Sequence, residues 1–177
     1  FLAKYLHDFE EKNASAEEIY HLAVLRLKAY TDEIHKKQIY DKNLLTGIVN
    51  GEGSVVCTYL YLFKLTGKRE WMIYAEKHFS IIERVWKEDS QLDYLSGNAG
   101  AIVVAVMLYK ETGNLKYYEI AADMEKDLWK KGQETGNGYG WRLKGTDRPL
   151  AGMSHGNSGF MMAYAMLYEC DHKVEYA

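Results

Sequence analysis

The sequence has one proline, two cysteines and no long apolar run, and each shortage excludes a class of protein. A single proline and few β-branched runs favour helices over β-structure. Cys57 and Cys170 lie far apart within apolar stretches, which is typical of reduced thiols that pack as small apolar side chains in a cytoplasmic protein. Because no apolar run reaches about 18 residues, no membrane span is predicted.

The charges also lack a dominant sign. The 22 basic and 25 acidic residues are interspersed along the chain and leave a formal net charge of -3. Nucleic acids and anionic membrane surfaces are recognised by clustered basic residues, so the sequence disfavours both as partners. With 47% hydrophobic residues over 177 positions, the chain is long and apolar enough to build a folded core.

Helical spacing of apolar residues runs through most of the chain. We expect leading helices over residues 1–43, and their apolar positions are Leu2, Tyr5, Leu6 and Phe9, followed by a stripe of Ile19, Leu22, Ala23, Leu27, Tyr30 and Ile34. Beyond them, each helix that is apolar nearly all round is followed by a one-sided helix. The sequence therefore predicts an all-α fold in which inner and outer helices alternate as an α/α toroid or solenoid.

A glycine-centred turn opens an inner helix three times, as GIVNGEGS from Gly47, DYLSGNAG from Asp93 and GMSHGNSG from Gly152. The second turn follows the first at an offset of 46 residues, and the third follows the second at 59. The predicted units are hairpin repeat 1 (44–89), hairpin repeat 2 (90–131), a Gly-rich extended loop (132–152) and the start of hairpin repeat 3 (153–177). Gly67 and Gly113 are predicted to end the two complete inner helices in the left-handed conformation.

Asp93 and His155 are the titratable residues that distinguish these turns. Equivalent turns would project both side chains towards the same end of the inner helices, where an acid and an imidazole would share one cleft. The alternative is structural: Asp93 caps its own turn and His155 binds a backbone carbonyl. Histidines without a partner pattern receive no role, and these are His7, His21, His35, His78 and His172.

Aromatic and basic side chains in the Gly-rich loop leave two interpretations open. Tyr139, Trp141 and Arg142 would either contact a substrate or anchor the loop against the body of the domain.

The third turn lies in PLAGMSHGNSG, residues 149–159, which resembles the Ser-His-Gly-x-x-Gly segment of lanthionine synthetase C-like proteins. Its Leu-x-Gly start is especially similar to the cyclase region of class II lanthipeptide synthetases. The segment from Asp93 to Gly100 resembles the preceding repeat of that family, and the segment from Gly47 to Ser54 resembles the one before it. The resemblance covers about residues 44–177.

This resemblance implies an α/α toroid of seven hairpins, of which the chain holds about the first three. It also implies a zinc-dependent enzyme that closes thioether rings in a ribosomally made precursor peptide. In such enzymes a peptide cysteine thiolate adds to dehydroalanine or dehydrobutyrine, and the resulting enolate is protonated. Zinc suits this chemistry because it lowers a thiol pKa, and histidine suits it because its pKa lies near neutral pH. A bacterial cytoplasmic location is expected.

Site residues follow from the resemblance position by position. His155 matches the acid/base histidine, and Asp93 matches the aspartate that assists it. The remaining motif residues, which are substrate-binding or structural, are Gly97, Asn98, Gly100, Gly156, Asn157 and Gly159. No metal ligand of the family has a counterpart here, so zinc is expected in a full-length parent and not in this chain. Because the chain begins at Phe1 and stops soon after the third repeat starts, we expect a segment that does not cyclise peptides alone.

Two other functions are compatible with the repeats. A carbohydrate-processing α/α barrel would need paired carboxylates, and Asp93 has no evident carboxylate partner in the neighbouring turns. A helical-repeat module would bind a peptide on its concave face without catalysis. An open part of a toroid would also expose apolar surface, which predicts self-association.

Overall fold

The computed structural model describes residues 14–37, 44–136 and 138–171. The predicted leading segment with Leu2 to Phe9, together with His7 and His172, lies outside them. The described residues form six α-helices and a 3-10 turn at Trp86–Glu88. The helices are α1 (Ala14–Lys37), α2 (Glu52–Thr66), α3 (Arg69–Val85), α4 (Asn98–Thr112), α5 (Leu115–Lys131) and α6 (Asn157–Asp171).

Two helical hairpins, α2–α3 and α4–α5, are followed by the first helix of a third unit. The inner helix α4 packs against α2 and α6 as well as its own partner α5. Its residues from Asn98 to Val106 are all buried, whereas the outer helices bury one face each. The predicted all-α class and the alternation of inner and outer helices are confirmed. None of the helices in the described ranges combines the length and apolar character needed to cross a membrane.

Glycine ends both complete inner helices. Gly67 has φ 67° and Gly113 has φ 69°, and their N–H groups donate to Phe63 O and Tyr109 O over 2.8 Å. In this left-handed region a side chain with a Cβ is disfavoured, so glycine allows the chain to reverse into the outer helix. The predicted helix ends are confirmed.

The apolar stripe predicted on α1 is wrong in part. Ile19 and Leu22 are more than half exposed, and Tyr30 is 40% exposed. The side that faces the core lies one position further along and includes Ala16 and Thr31. The Thr31 hydroxyl hydrogen-bonds to the side chains of Tyr59 and His78 in hairpin repeat 1, which allows this polar residue to be buried. The spacing of apolar residues could not predict a buried threonine.

The Gly-rich loop contains a short β-hairpin that was not predicted. Strands β1 (Gln133–Thr135) and β2 (Gly138–Gly140) pair antiparallel, with Gln133 opposite Gly140. Within β2 the Tyr139 hydroxyl donates to Trp129 O over 2.5 Å, and just after it Trp141 Nε1 donates to Leu128 O over 2.7 Å. These contacts confirm that the two aromatic side chains anchor the loop on α5.

Candidate active site

The three glycine turns lie side by side at the same end of the inner helices. They are turn 1 (45–51), turn 2 (91–97) and turn 3 (150–156). Val49 N donates to Leu95 O over 3.1 Å, and Leu95 N donates to Ser154 O over 3.1 Å. These three residues occupy equivalent repeat positions, so the same backbone hydrogen bond joins each turn to the next. The repeat thus brings turns 2 and 3 together.

Asp93 and His155 form a side-chain hydrogen bond across turns 2 and 3. His155 Nδ1 lies 2.7 Å from Asp93 Oδ2. The Asp93 side chain is 2% exposed, whereas the His155 side chain is 50% exposed. The structure therefore brings together the two residues that the sequence singled out.

The structural role expected for Asp93 is present as well. Its Oδ1 accepts a hydrogen bond from Ser96 N over 2.7 Å, while Oδ2 is used by His155. Because an ionised carboxylate only accepts, Nδ1 of His155 is the donor and Nε2 is the ring nitrogen left for another molecule. A buried carboxylate that orients a half-exposed imidazole is an arrangement suited to proton transfer. It is also not the pair of carboxylates that the carbohydrate-processing alternative requires.

Turn 1 has no counterpart of this pair. Gly47 occupies the repeat position of Asp93, and a Cβ there would lie 2.3 Å from Leu95 O and 2.4 Å from Ser96 Cα. Turns 1 and 2 are therefore in backbone contact where turns 2 and 3 place the side chains of Asp93 and His155. The other motif glycines are also in close backbone contact: an added Cβ would lie 2.2–2.4 Å from a backbone atom at Gly97, Gly100, Gly156 and Gly159.

The motif asparagines join the inner helices to the preceding unit. Asn98 is fully buried, and its Nδ2 donates to Trp86 O over 2.7 Å. Asn157 Nδ2 donates to Tyr139 O over 3.1 Å. Of the two roles expected for these residues, the contacts describe the structural one.

A second histidine–carboxylate pair lies inside the protein, and the sequence analysis missed it. His78 Nδ1 lies 2.6 Å from Glu52 Oε2, with side-chain exposures of 0% and 1%. Tyr30 donates to Glu52 Oε1 over 2.6 Å, and Thr31 Oγ1 lies 2.8 Å from His78 Nε2. These bonds connect α1, α2 and α3. The sequence signal that could have predicted this pair is the position of His78 among the apolar residues on the core-facing side of α3.

A metal site is not formed by the described residues. Among them, no group of three or more His, Cys, Asp or Glu side chains is placed to hold a metal ion. Cys57 lies in α2 and Cys170 in α6, and burial raises the pKa of Cys57 to about 11. Burial also raises the pKa of Cys170. Since the thiolate is the form that binds metals, this shift disfavours metal ligation by either residue.

A family model matches the chain over its full length. The family model described as lanthionine synthetase C-like protein matches residues 1–177. No curated protein matches the chain.

Proposed function

Since this chain belongs to the lanthionine synthetase C-like protein family, we propose that it forms part of a cyclase domain that closes thioether rings in a precursor peptide. The reaction adds the S–H of a peptide cysteine across the C=C bond of dehydroalanine or dehydrobutyrine. The Leu-x-Gly form of turn 3 favours a class II synthetase. The observation that supports the proposal is the Asp93–His155 pair, with its imidazole half exposed beside two glycine turns.

His155 would move the proton in this addition. The thiolate sulfur bonds to the β-carbon of the dehydro residue, the π electrons pass to the α-carbon as an enolate, and the α-carbon takes up a proton. Nε2 of His155 is the atom we assign to giving or taking that proton, because Nδ1 is engaged by Asp93. Asp93 holds the ring orientation and stabilises its protonated form. No net oxidation occurs.

Zinc, which the family implies, would activate the peptide thiol when bound. The described residues do not fit it, because they provide no cluster of ligands. We therefore assign proton transfer alone to this chain and propose that the metal ligands belong to other parts of the enzyme. On this proposal the chain does not cyclise peptides by itself.

The test is His155→Ala in the complete enzyme, with a dehydrated peptide as substrate. Loss of a general acid/base residue is expected to lower the cyclisation rate by about 100-fold to 10,000-fold. Cyclisation is counted by mass spectrometry after thiol alkylation, because only uncyclised cysteines gain mass. The control is His21→Ala, which removes an exposed histidine from α1. Cyclisation at the wild-type rate by His155→Ala would refute the assignment.

A further inference from the structure

Turn 2 differs from turns 1 and 3 in the acceptor that binds the first N–H of its inner helix. In turn 1, the first N–H of the inner helix, on Glu52, donates to Leu45 O over 2.9 Å. In turn 3, the equivalent N–H, on Asn157, donates to Leu150 O over 2.8 Å. Turns 1 and 3 thus use the same backbone carbonyl of the repeat to cap the inner helix.

In turn 2 a side chain replaces that carbonyl. Asn98 N donates to Asp89 Oδ2 over 2.8 Å, and not to Gln91 O, which is the repeat equivalent of the two capping carbonyls. Gln91 O instead accepts from Asp93 N over 2.8 Å. The carbonyl has thus been redirected from the helix start to the residue with the functional carboxylate.

Leu92 shows the backbone consequence of this exchange. It has φ 63°, and among the described residues it is the one non-glycine residue with positive φ. The left-handed conformation is unfavourable for a side chain with a Cβ, so something must hold Leu92 in it. Asp89 is placed to do so: Oδ2 also accepts from Leu92 N over 3.1 Å, and Oδ1 accepts from Gln91 N over 3.0 Å.

The replacement is particular to turn 2. The residue equivalent to Asp89 before turn 3 is Arg148, which is exposed, and the equivalent before turn 1 lies outside the described residues. Burial raises the pKa of Asp89, while its three backbone donors act in the opposite direction. The partly buried carboxylate of Asp89 thus lies at the turn in which Asp93 contacts His155.

We propose that Asp89 is a positioning residue, which holds the Leu92–Asp93 backbone in a strained turn and thereby aims the Asp93 carboxylate at His155. The proposal rests on the function assigned above to the Asp93–His155 pair. Without Asp89, turn 2 would relax towards the geometry of turns 1 and 3, in which the Gln91 carbonyl caps the inner helix. Leu92 would return to negative φ, and Asp93 would lose its alignment with His155.

The tautomer of His155 reports this alignment directly. Asp93 stabilises the Nδ1–H form of the neutral ring, and ¹⁵N NMR of the labelled chain distinguishes it from the Nε2–H form. The His155 signals are assigned with His155→Gln. In Asp89→Ala, the unfavourable left-handed conformation of Leu92 lowers the population of the native turn by about tenfold. Because only the native turn aligns Asp93 with His155, the ratio of Nδ1–H to Nε2–H is expected to fall by about the same factor. Glu88→Gln, which removes a neighbouring acidic charge, should leave the ratio unchanged.

A double variant separates positioning from simple stabilisation. In Asp89→Ala/Leu92→Gly, glycine tolerates the left-handed conformation, so the wild-type ratio is expected to return although a buried side chain has been removed. Folding is checked by circular dichroism. If Asp89→Ala does not fold, Asp89→Asn takes its place, because in either orientation its amide NH₂ faces at least one of the three backbone N–H groups from which Asp89 accepts.

Two results overturn the proposal: a folded Asp89 variant with the wild-type tautomer ratio, or a double variant that does not recover it. The ratio is measured without turnover, so the proposed function is judged separately. If His155→Ala cyclises normally while Asp89→Ala shifts the ratio, the cyclase assignment fails and the positioning role remains. If His155→Ala cyclises slowly while Asp89→Ala keeps the wild-type ratio, the cyclase assignment is retained and the positioning role of Asp89 is rejected.

Discussion

Two histidine–carboxylate pairs in this protein share the same bond and differ in their surroundings. In both, Nδ1 binds a carboxylate oxygen, over 2.6 Å in His78–Glu52 and 2.7 Å in His155–Asp93. The His78 side chain has no exposed surface, whereas half of the His155 side chain is exposed. The bond alone therefore does not indicate catalysis; what differs is whether Nε2 can reach another molecule.

The largest expected difference is in chemical reactivity. Diethyl pyrocarbonate modifies an unprotonated ring nitrogen, which in His155 is Nε2. His78 would react only when the protein opens, so its modification should be at least about 1,000-fold slower than that of His155. Peptide mass spectrometry at increasing reaction times measures both rates. Comparable rates in the folded protein would mean that the two environments do not differ as the structure describes.

Breaking the buried pair should have the next largest effect. Glu52→Ala removes the buried carboxylate that accepts hydrogen bonds from His78 and Tyr30, so the free energy of unfolding should fall by about 3–5 kcal/mol. Urea denaturation measures the change. Glu70→Ala is the matched control, since Glu70 forms an exposed pair with Lys28 and should cost less than about 1 kcal/mol. Similar losses in the two variants would show that the buried pair is not a structural element.

The sequence predicted the hairpins and the proximity of Asp93 and His155 for a physical reason. A repeat keeps equivalent turns at equivalent places, so the offset from turn 2 to turn 3 predicted that Asp93 and His155 lie at the same end of the inner helices. It did not predict the His78–Glu52 pair, because the repeat relates one turn to the next and does not indicate which residue within an outer helix faces the start of an inner helix. Nor did it predict the left-handed Leu92, whose conformation depends on tertiary contacts of Asp89.

Replacement of Asp93 by asparagine separates its proposed role in proton transfer from its structural role in turn 2. In Asp93→Asn, the side-chain amide keeps an oxygen for Ser96 N but presents an N–H to His155, so the turn survives while the favoured tautomer is lost. In the complete enzyme, cyclisation should slow by at least about 100-fold, while the free energy of unfolding changes by about 1 kcal/mol or less. Thiol alkylation measures the cyclisation rate, and urea denaturation measures the free energy of unfolding. Slow cyclisation accompanied by a large loss of stability would instead indicate a structural role.

The smallest expected effect concerns Tyr30, at the edge of the buried pair. Burial, followed by the hydrogen bond to Glu52, raises the pKa of Tyr30 above its usual value near 10. A raised pKa of an acid means that the neutral form is favoured in the folded state. Its contribution to stability is therefore complete below pH 10 and is lost as the pH rises from there towards the folded-state pKa.

Tyr30→Phe tests this contribution because it removes the donor to Glu52 together with the titrating group. At neutral pH the variant should be less stable than the wild type by about 1 kcal/mol, and the difference should shrink as the pH is raised beyond about 10. Urea denaturation at about pH 7, 10 and 11 measures the trend, with Tyr61→Phe, an exposed tyrosine, as control. A difference that stays constant would mean that the Tyr30 hydroxyl does not contribute through Glu52. The two pairs would then differ in exposure, but the buried one would not depend on its hydrogen bond to α1.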